Sequence, residues 1–351
     1  KLREDIDRLS KRVESLKKSS PGDASKSMSV QDQKDPGDWH VHIRGGIRNK
    51  GPIVPRGFLQ VASGGQAEAR ATMKTGSGRR ELAEWIASES NPLTRRVMVN
   101  RIWHHLMGQG LVRTTDNFGV MGELPSHPEL LDWLAGHFAR DNWSVKEMIR
   151  QIVISKTYRL ASEGDSSARS VDPENRLLWK ANRKRLTAEA IRDSILAISG
   201  RLSYEQGGYT IRKFSQYDWG YEFDTVRRSV YVPLLRNTLM EVFETFDMAN
   251  PNLVTGRRNE TTLPTQALYL MNSSFVNGEA GRLGQRIAQV GNSDADRIRL
   301  AYRLTLGREP SAAEVEVSQA FISTNDASVE KRPWAALAHS LISSIQFRYL
   351  D

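Results

Sequence analysis

Three polar groupings in this chain combine residue types and spacings that bear on chemistry. Arg96, Asn100 and His104 recur at i, i+4 and i+8, so on a helix they form one ridge, with Arg101 and His105 on a neighbouring line. Their neighbours Leu93, Val97, Met98, Val99, Ile102, Trp103, Leu106 and Met107 cover most of the remaining circumference. Such a helix is expected to be largely buried, and a polar ridge on it needs partners or a ligand. The second grouping lies in the Gly-rich connection Gly108 to Pro125, which carries Asp116 and Asn117 and is followed by His127. Acid, amide and imidazole are the groups of an acid–base pocket. The third is Gly256 to Thr262, in which Arg257, Arg258, Asn259, Glu260 and Thr261 stand together. Paired guanidinium groups offer forks that suit carboxylate, sulfate or phosphate.

Each grouping also has a purely structural reading. Arg96 and Arg101 would pair with acids on other helices, and His104 would be hydrogen-bonded in the interior. Asp116-Asn117 would form an Asx-turn, and His127 would occupy the first turn of the next helix. The arginines at 257 and 258 would belong to an internal salt-bridge network.

The elements that position these residues follow from local signals. Asn91-Pro92 opens a helix expected to run to about Met107, where Gly108 and Gly110 stop it. Ser126-His-Pro-Glu129, Ser144-Val-Lys-Glu147 and Ser311-Ala-Ala-Glu314 each have the spacing of a capping box. A further helix is expected from about Thr187 to Ser199 with Gly200 as its stop, and a short one over Leu239 to Phe246. Helices over Asp294 to Gly307, Ser311 to Ser323 and Pro333 to Gln346 close the chain. Arg228 to Leu234, RSVYVPL, reads as a strand from its β-branched and aromatic content. Gly207 to Asp224 reads as a hairpin or irregular loop.

Upstream, Leu2, Ile6, Leu9, Val13 and Leu16 are spaced 4, 3, 4, 3 like a coiled-coil seam, expected to pack on the chain's own body. Residues 17–27 read as a polar linker. SMSVQD, WHVHIRG and GFLQVA read as short strands, and His40 and His42 share a strand face. An H-x-H pair with no third ligand gives no metal site. The Gly/Ser/basic stretch from Gly64 to Arg80 reads as a loop. The expected fold is mainly α: a multi-helix bundle with a small β element near the N-terminus and a short strand or hairpin region around residues 207–235. The expected domains are 1–27 (coiled-coil-like helix and linker), 28–80 (small β segment), 81–162 (central helical lobe) and 174–351 (second helical lobe with a β insertion).

The 351 residues suffice for two packed units, and 39% hydrophobic residues with 8 Trp provide for real cores. The net charge of +9 favours anionic partners, although 41 acidic residues stand against 50 basic ones, so the charge is dispersed. There is no cysteine, which excludes disulfides, thiolate catalysis, Cys-based zinc sites and covalent haem attachment in this chain. The basic flank Asn182 to Leu186 lacks stacking aromatics or a known reader motif, so nucleic acid is not expected as a partner. No apolar run approaches the roughly 18–20 residues of a membrane span. Lys1 falls inside a heptad without a preceding Met, so the sequence is expected to be a piece of a longer protein.

The segments NPLTRRVMVNRIWHHLMGQGLVRTTDNFGVMGELPSHPELLDWLA, NRLLWKANRKRLTAEAIRDSIL, RRSVYVPLLRN, GRRNETTLPTQALYLMN and AYRLTLGREPSAAE, in this order, resemble the planctomycete-type domain of unknown function 1553. The resemblance extends over about residues 41–351. It implies a domain that follows cytochrome-c-like and lectin-like domains in an exported cell-envelope protein of the periplasm or cell surface. Any haem would then sit on those upstream domains and no cofactor in this chain. The family has no established reaction. The function expected is a non-catalytic ligand-binding or scaffold domain, whose ligand is an anionic polysaccharide, sulfated or uronic. It would be held by Arg257, Arg258 and the Arg96, Asn100 and His104 ridge. Two alternatives stay open. One is a glycan-active hydrolase or lyase with His104 or His127 as base and Asp116 or Glu260 as acid or orienting group. The other is a structural module that docks haem-containing redox domains. Oligomeric state is left open.

Overall fold

A computed structural model describes residues 2–19, 29–63, 76–164, 166–213, 220–290, 293–324 and 332–350. These residues form two compact units, Lys1–Pro92 and Leu93–Asp351. About half of the chain is helical, and the strands are few and short.

The first unit begins with α1 (Leu2–Ser19), followed by β1 (Trp39–His42), β2 (Lys50–Val54) and α2 (Arg79–Ile86). The heptad side chains of α1 stay in solvent: Ile6 is 54% and Leu9 60% exposed. That overturns the expectation that they pack on the body. Strands β1 and β2 pair antiparallel, with Trp39 opposite Val54 and His42 opposite Lys50 across an irregular register. Both imidazoles are engaged locally. His40 Nδ1 lies 2.7 Å from the Gly51 carbonyl, and His42 Nε2 accepts from the Trp39 indole at 3.0 Å. GFLQVA is not a strand but leads into a 3-10 turn at Gln60–Ala62, and the described part of SMSVQD has no ladder partner either. Only Gly57 at the start of GFLQVA takes part in a single β-bridge, too little to extend into a strand. A stack of Phe58 on Trp85, centroids 5.0 Å apart, gives this unit an aromatic contact. Most of the linker before Ser29 and of the Gly/Ser/basic loop lies outside the described residues.

The second unit opens with α3 (Pro92–Met107), α4 (Pro128–Arg140), α5 (Val145–Val153) and α6 (Ser166–Val171). A first core joins Val99, Ile102, Trp103 and Met107 of α3 to Leu131, Leu134 and Phe138 of α4 and to Met148 and Ile152 of α5. Leu111 and Val112 of the Gly-rich connection complete it. Helix α3 stops at Gly108, whose φ of 84° is in the left-handed region that glycine tolerates. The Ser126 box does not form. Pro128 takes the first helical position, so the cap falls on His127 and Glu129 stands one residue too early to reach back. Ser144 and Ser311 do cap their helices, the latter reciprocally with Glu314.

The chain continues with β3 (Lys184–Arg185), α7 (Ala188–Ser199), β4 (Arg212–Lys213), β5 (Tyr221–Glu222), α8 (Glu241–Thr245), α9 (Pro264–Asn272) and α10 (Ser274–Ala288). It ends with α11 (Asp294–Leu306), α12 (Ala312–Ile322), α13 (Pro333–Ser343), α14 (Ile345–Arg348) and β6 (Tyr349–Leu350). The second and larger core gathers Ile191 and Ile195 of α7, Phe243 of α8, Leu270 of α9, Leu283 and Ile287 of α10, and Leu341 and Ile342 of α13. Helices α10 and α13 approach so closely at Gly284 that an added Cβ would lie 2.5 Å from the Ala335 nitrogen.

RSVYVPL, expected as a strand, folds into a 3-10 turn at Ser229–Tyr231. The cause lies on α7. The buried Arg192 guanidinium donates to the carbonyls of Thr225 and Arg227, and the Asp193 carboxylate accepts from the Ser229 amide at 2.9 Å and its hydroxyl at 2.6 Å. Side chains thus take the backbone groups that a neighbouring strand would have paired. The hairpin expected nearby is present as β4 and β5, with Arg212 opposite Glu222.

A cationic cluster as the candidate functional site

The three polar groupings meet in the second unit, although not every member faces the meeting point. Gly256 packs directly on the Asp116 side chain, where any Cβ would overlap the carboxyl group, so the 256–262 segment lies against the Gly-rich connection. The same segment is anchored at its other end. Thr261 donates to the Asp247 carboxylate from both its amide and its hydroxyl at 2.9 Å, and Thr262 Oγ1 lies 3.0 Å from the Tyr349 hydroxyl. Beneath it, Arg185 forms a buried ion pair with Asp247 at 2.8 Å and donates to the Thr261 carbonyl at 2.8 Å. Removing one partner of such a pair strands a buried charge, which makes the pair costly to break.

Along the α3 ridge the three residues have different surroundings. Arg96 is held at 2.6 Å by Asp132 of α4. Asn100 is fully buried, and its amide clamps both backbone groups of Val112 at 2.9 Å, donating to the carbonyl and accepting from the N–H. His104 is half-buried with Nδ1 lacking any hydrogen-bond partner among the described residues. Burial first, then the positive charges of His105, Arg257, Arg101 and Lys184, lower its pKa from the ordinary 6.5 to about 4. Burial and the charges of Arg101, Arg258 and Lys184 also lower that of His105.

Five basic side chains from three separated segments therefore surround one spot. Arg101, His104 and His105 come from α3, Lys184 from β3 and Arg257 from the 256–262 segment. Among the described residues, neither Arg101 nor Arg257 forms an ion pair. Lys184 reaches the last turn of α3, donating to the Leu106 carbonyl at 2.5 Å, where the helix leaves carbonyls unpaired. Its own pKa is lowered by burial, with Glu260 acting in the opposite sense. Asn182 adds a bond to the Met107 carbonyl at 3.0 Å, so the basic flank of α7 docks on the end of α3.

The other residues singled out from the sequence have local roles or open positions. Arg258 makes a two-pronged ion pair with Glu189 at 2.8 and 2.9 Å. Asn117 accepts from the Gly119 amide at 3.0 Å, an Asx-turn, and His127 Nδ1 lies 2.9 Å from the Ser126 hydroxyl. Asp116, Asn259 and Glu260 are exposed. Lys184 was not among the residues selected from the sequence. Its signal was the basic run before α7, but only the docking of that run on α3 shows where the charge goes.

No group of three or more metal-ligating side chains occurs among the described residues, and no helix there is long and apolar enough to cross a membrane. Beside Lys184, Leu106, Tyr158, Asn182 and Leu350 line a cavity of about 260 Å³. A wider basin of about 620 Å³ is lined by Glu163, Arg169, Lys180 and Arg183.

The fold is thus that of a mainly α-helical protein whose two cores are joined by a basic, partly buried seam. The chain belongs to the family described as "Protein of unknown function (DUF1553)", PSD1, whose model matches residues 78–322. No match was found among curated proteins or among solved structures.

Proposed function

We propose that this chain is a non-catalytic anion-binding domain of a larger exported protein, and that its ligand is a sulfated or uronic polysaccharide. The observation that carries the reading is the gathering of Arg101, Lys184 and Arg257 near the half-buried His104, whose pKa is brought to about 4 by burial first and by these positive charges second. Glu260 offsets part of the charge at Lys184, and a bound sulfate or carboxylate would add further counter-charge to the cluster. A separate basin lined by Arg169, Lys180 and Arg183 against the single acid Glu163 adds further basic surface, which favours a repeating polyanion over a single small one. The same observation weakens the hydrolase or lyase alternative that uses His104, because an imidazole with so low a pKa is a poor general base near neutral pH. Export, and attachment to haem-bearing or lectin-like partners, are part of the proposal through the family resemblance.

Titration calorimetry of the full chain with heparin, oligogalacturonate and neutral maltodextrin fragments at two salt concentrations tests it. The expected result is selective binding of one anionic glycan, weakened at least about tenfold by Arg101→Ala with Arg257→Ala while the melting temperature holds, a loss of about 1.4 kcal/mol. Equal, salt-erased binding of every polyanion, indifferent to the double substitution, would overturn it.

A further inference from the structure

Helix α1 carries an apolar stripe that faces solvent. Ile6, Leu9, Val13 and Leu16 are 50–61% exposed, and neither hydrophobic core includes any of them. Every other residue from Asp5 to Lys17 is charged or a serine, and all are exposed. The stripe is therefore a strict a/d seam with polar flanks, narrower than the face of a helix that packs on a globular core and of the width that a single second helix covers.

The residue types choose the partner. Ile6 and Val13 hold the a positions, and Leu9 and Leu16 the d positions. In parallel coiled coils, β-branched residues at a with leucine at d favour two strands over three or four. In register, each layer then joins like to like, Ile6 on Ile6 and Leu9 on Leu9, and no polar residue in the seam selects a different partner. The flanks weaken this pairing without reversing it. Asp5 of one copy meets Ser10 of the other, which is neutral, and Arg12 meets Lys17, a repulsion between exposed, solvent-screened groups that counts for less than burial of the seam.

We propose that α1 pairs with α1 of a second copy of this chain as a parallel, in-register, two-stranded coiled coil whose seam is Ile6, Leu9, Val13 and Leu16. So short a seam makes a weak dimer, populated according to concentration. The inference does not rest on the anion site.

Sedimentation equilibrium of the full chain over about 5 to 500 µM tests this, with a monomer–dimer midpoint expected inside that range. Leu9→Glu with Val13→Glu, at positions already exposed in the single chain, should weaken the dimer at least about tenfold while the melting temperature holds. Lys17→Glu turns the repulsion with Arg12 into attraction at both edges and should tighten the dimer about three- to tenfold at low salt, a gain that misfolding could not mimic. The chain has no cysteine, so an introduced one is its sole thiol. Under mild oxidation Ile6→Cys and Leu9→Cys should each join to a second copy of the same variant, and Lys11→Cys, on the outer face, should not. Any of four results would overturn the proposal: a monomer throughout the range, a trimer or larger assembly, a dimer indifferent to the two glutamates or loosened by Lys17→Glu, or a disulfide that forms only when Ile6→Cys and Leu9→Cys chains are mixed, the mark of antiparallel pairing.

Discussion

Asn100 and His104 stand one turn apart on α3, and their surroundings separate a structural polar group from a site residue. Asn100 meets a single backbone unit, Val112, that uses its carbonyl and its amide together, and Gly110 must lack a Cβ because one there would lie 2.9 Å from both polar atoms of the Asn100 amide. The charges that act on His104 are all positive. It stays neutral in the folded chain down to about pH 4, whereas the unfolded chain takes up that proton near its ordinary 6.5. Between the two values the unfolded state binds more protons, so stability rises with pH across that window, is complete above about 6.5, and is lost as pH falls toward about 4. Denaturant midpoints measured at intervals from pH 7 to 4 should therefore fall on acidification, and His104→Gln should flatten that slope. An imidazole resonance that titrates in the ordinary range would refute the burial and field assigned to it. Arg257 and Arg258 likewise differ although they adjoin in sequence. The first adds to the field on His104, while the second is paired with Glu189.

At the scale of elements, helix ends and helix crossings decide the architecture. The end of α3 is covered by Lys184 and Asn182, which satisfy the carbonyls of Leu106 and Met107 and carry a positive charge to the helix C-terminus, where it is favoured. The crossing of α10 and α13 depends on Gly284, whose absent side chain lets the Ala335 backbone come into contact. Gly284→Ala should cost about 1–3 kcal/mol by overpacking, even though alanine is the better helix former, and the check is a thermal or denaturant melt. An unchanged or raised melting temperature would mean that the two helices are not in close contact there. Helix α1 shows the opposite condition, a regular apolar seam that nothing in its unit covers.

At the scale of the molecule, the candidate site depends on residues far apart in the chain. Lys184 is held by the antiparallel pairing of β3 with β6, in which it faces Leu350, and Tyr349 faces Arg185 while contacting Thr262 through its hydroxyl. The end of the chain thus fixes both the strand that supplies Lys184 and the segment that supplies Arg257. Deletion of residues 349–351 is expected to lower the melting temperature and to weaken anion binding together, although none of the three carries a positive charge. Retained affinity in the truncated chain would show that β6 does not support the site.

Most helices, their stops at Gly108 and Gly200 and the mainly α class were legible in the sequence, because caps, glycine stops and apolar periodicity are local signals, whereas α10, which follows α9 with only Ser273 between, and the short α6 were not. So were the ridge on α3 and the basic pair at 257 and 258. RSVYVPL was misread because its strand-like composition is overridden by Arg192 and Asp193, which reach it from more than thirty residues away. Which polar residues are clamps and which are left facing one another was also beyond local reading, since it depends on where segments as distant as α3, β3 and the 256–262 stretch come to rest. The sequence by itself determined the elements and the excess of basic groups. The tertiary structure decided that four of those groups surround one half-buried imidazole, because only packing sets the distances and the desolvation on which electrostatics depend.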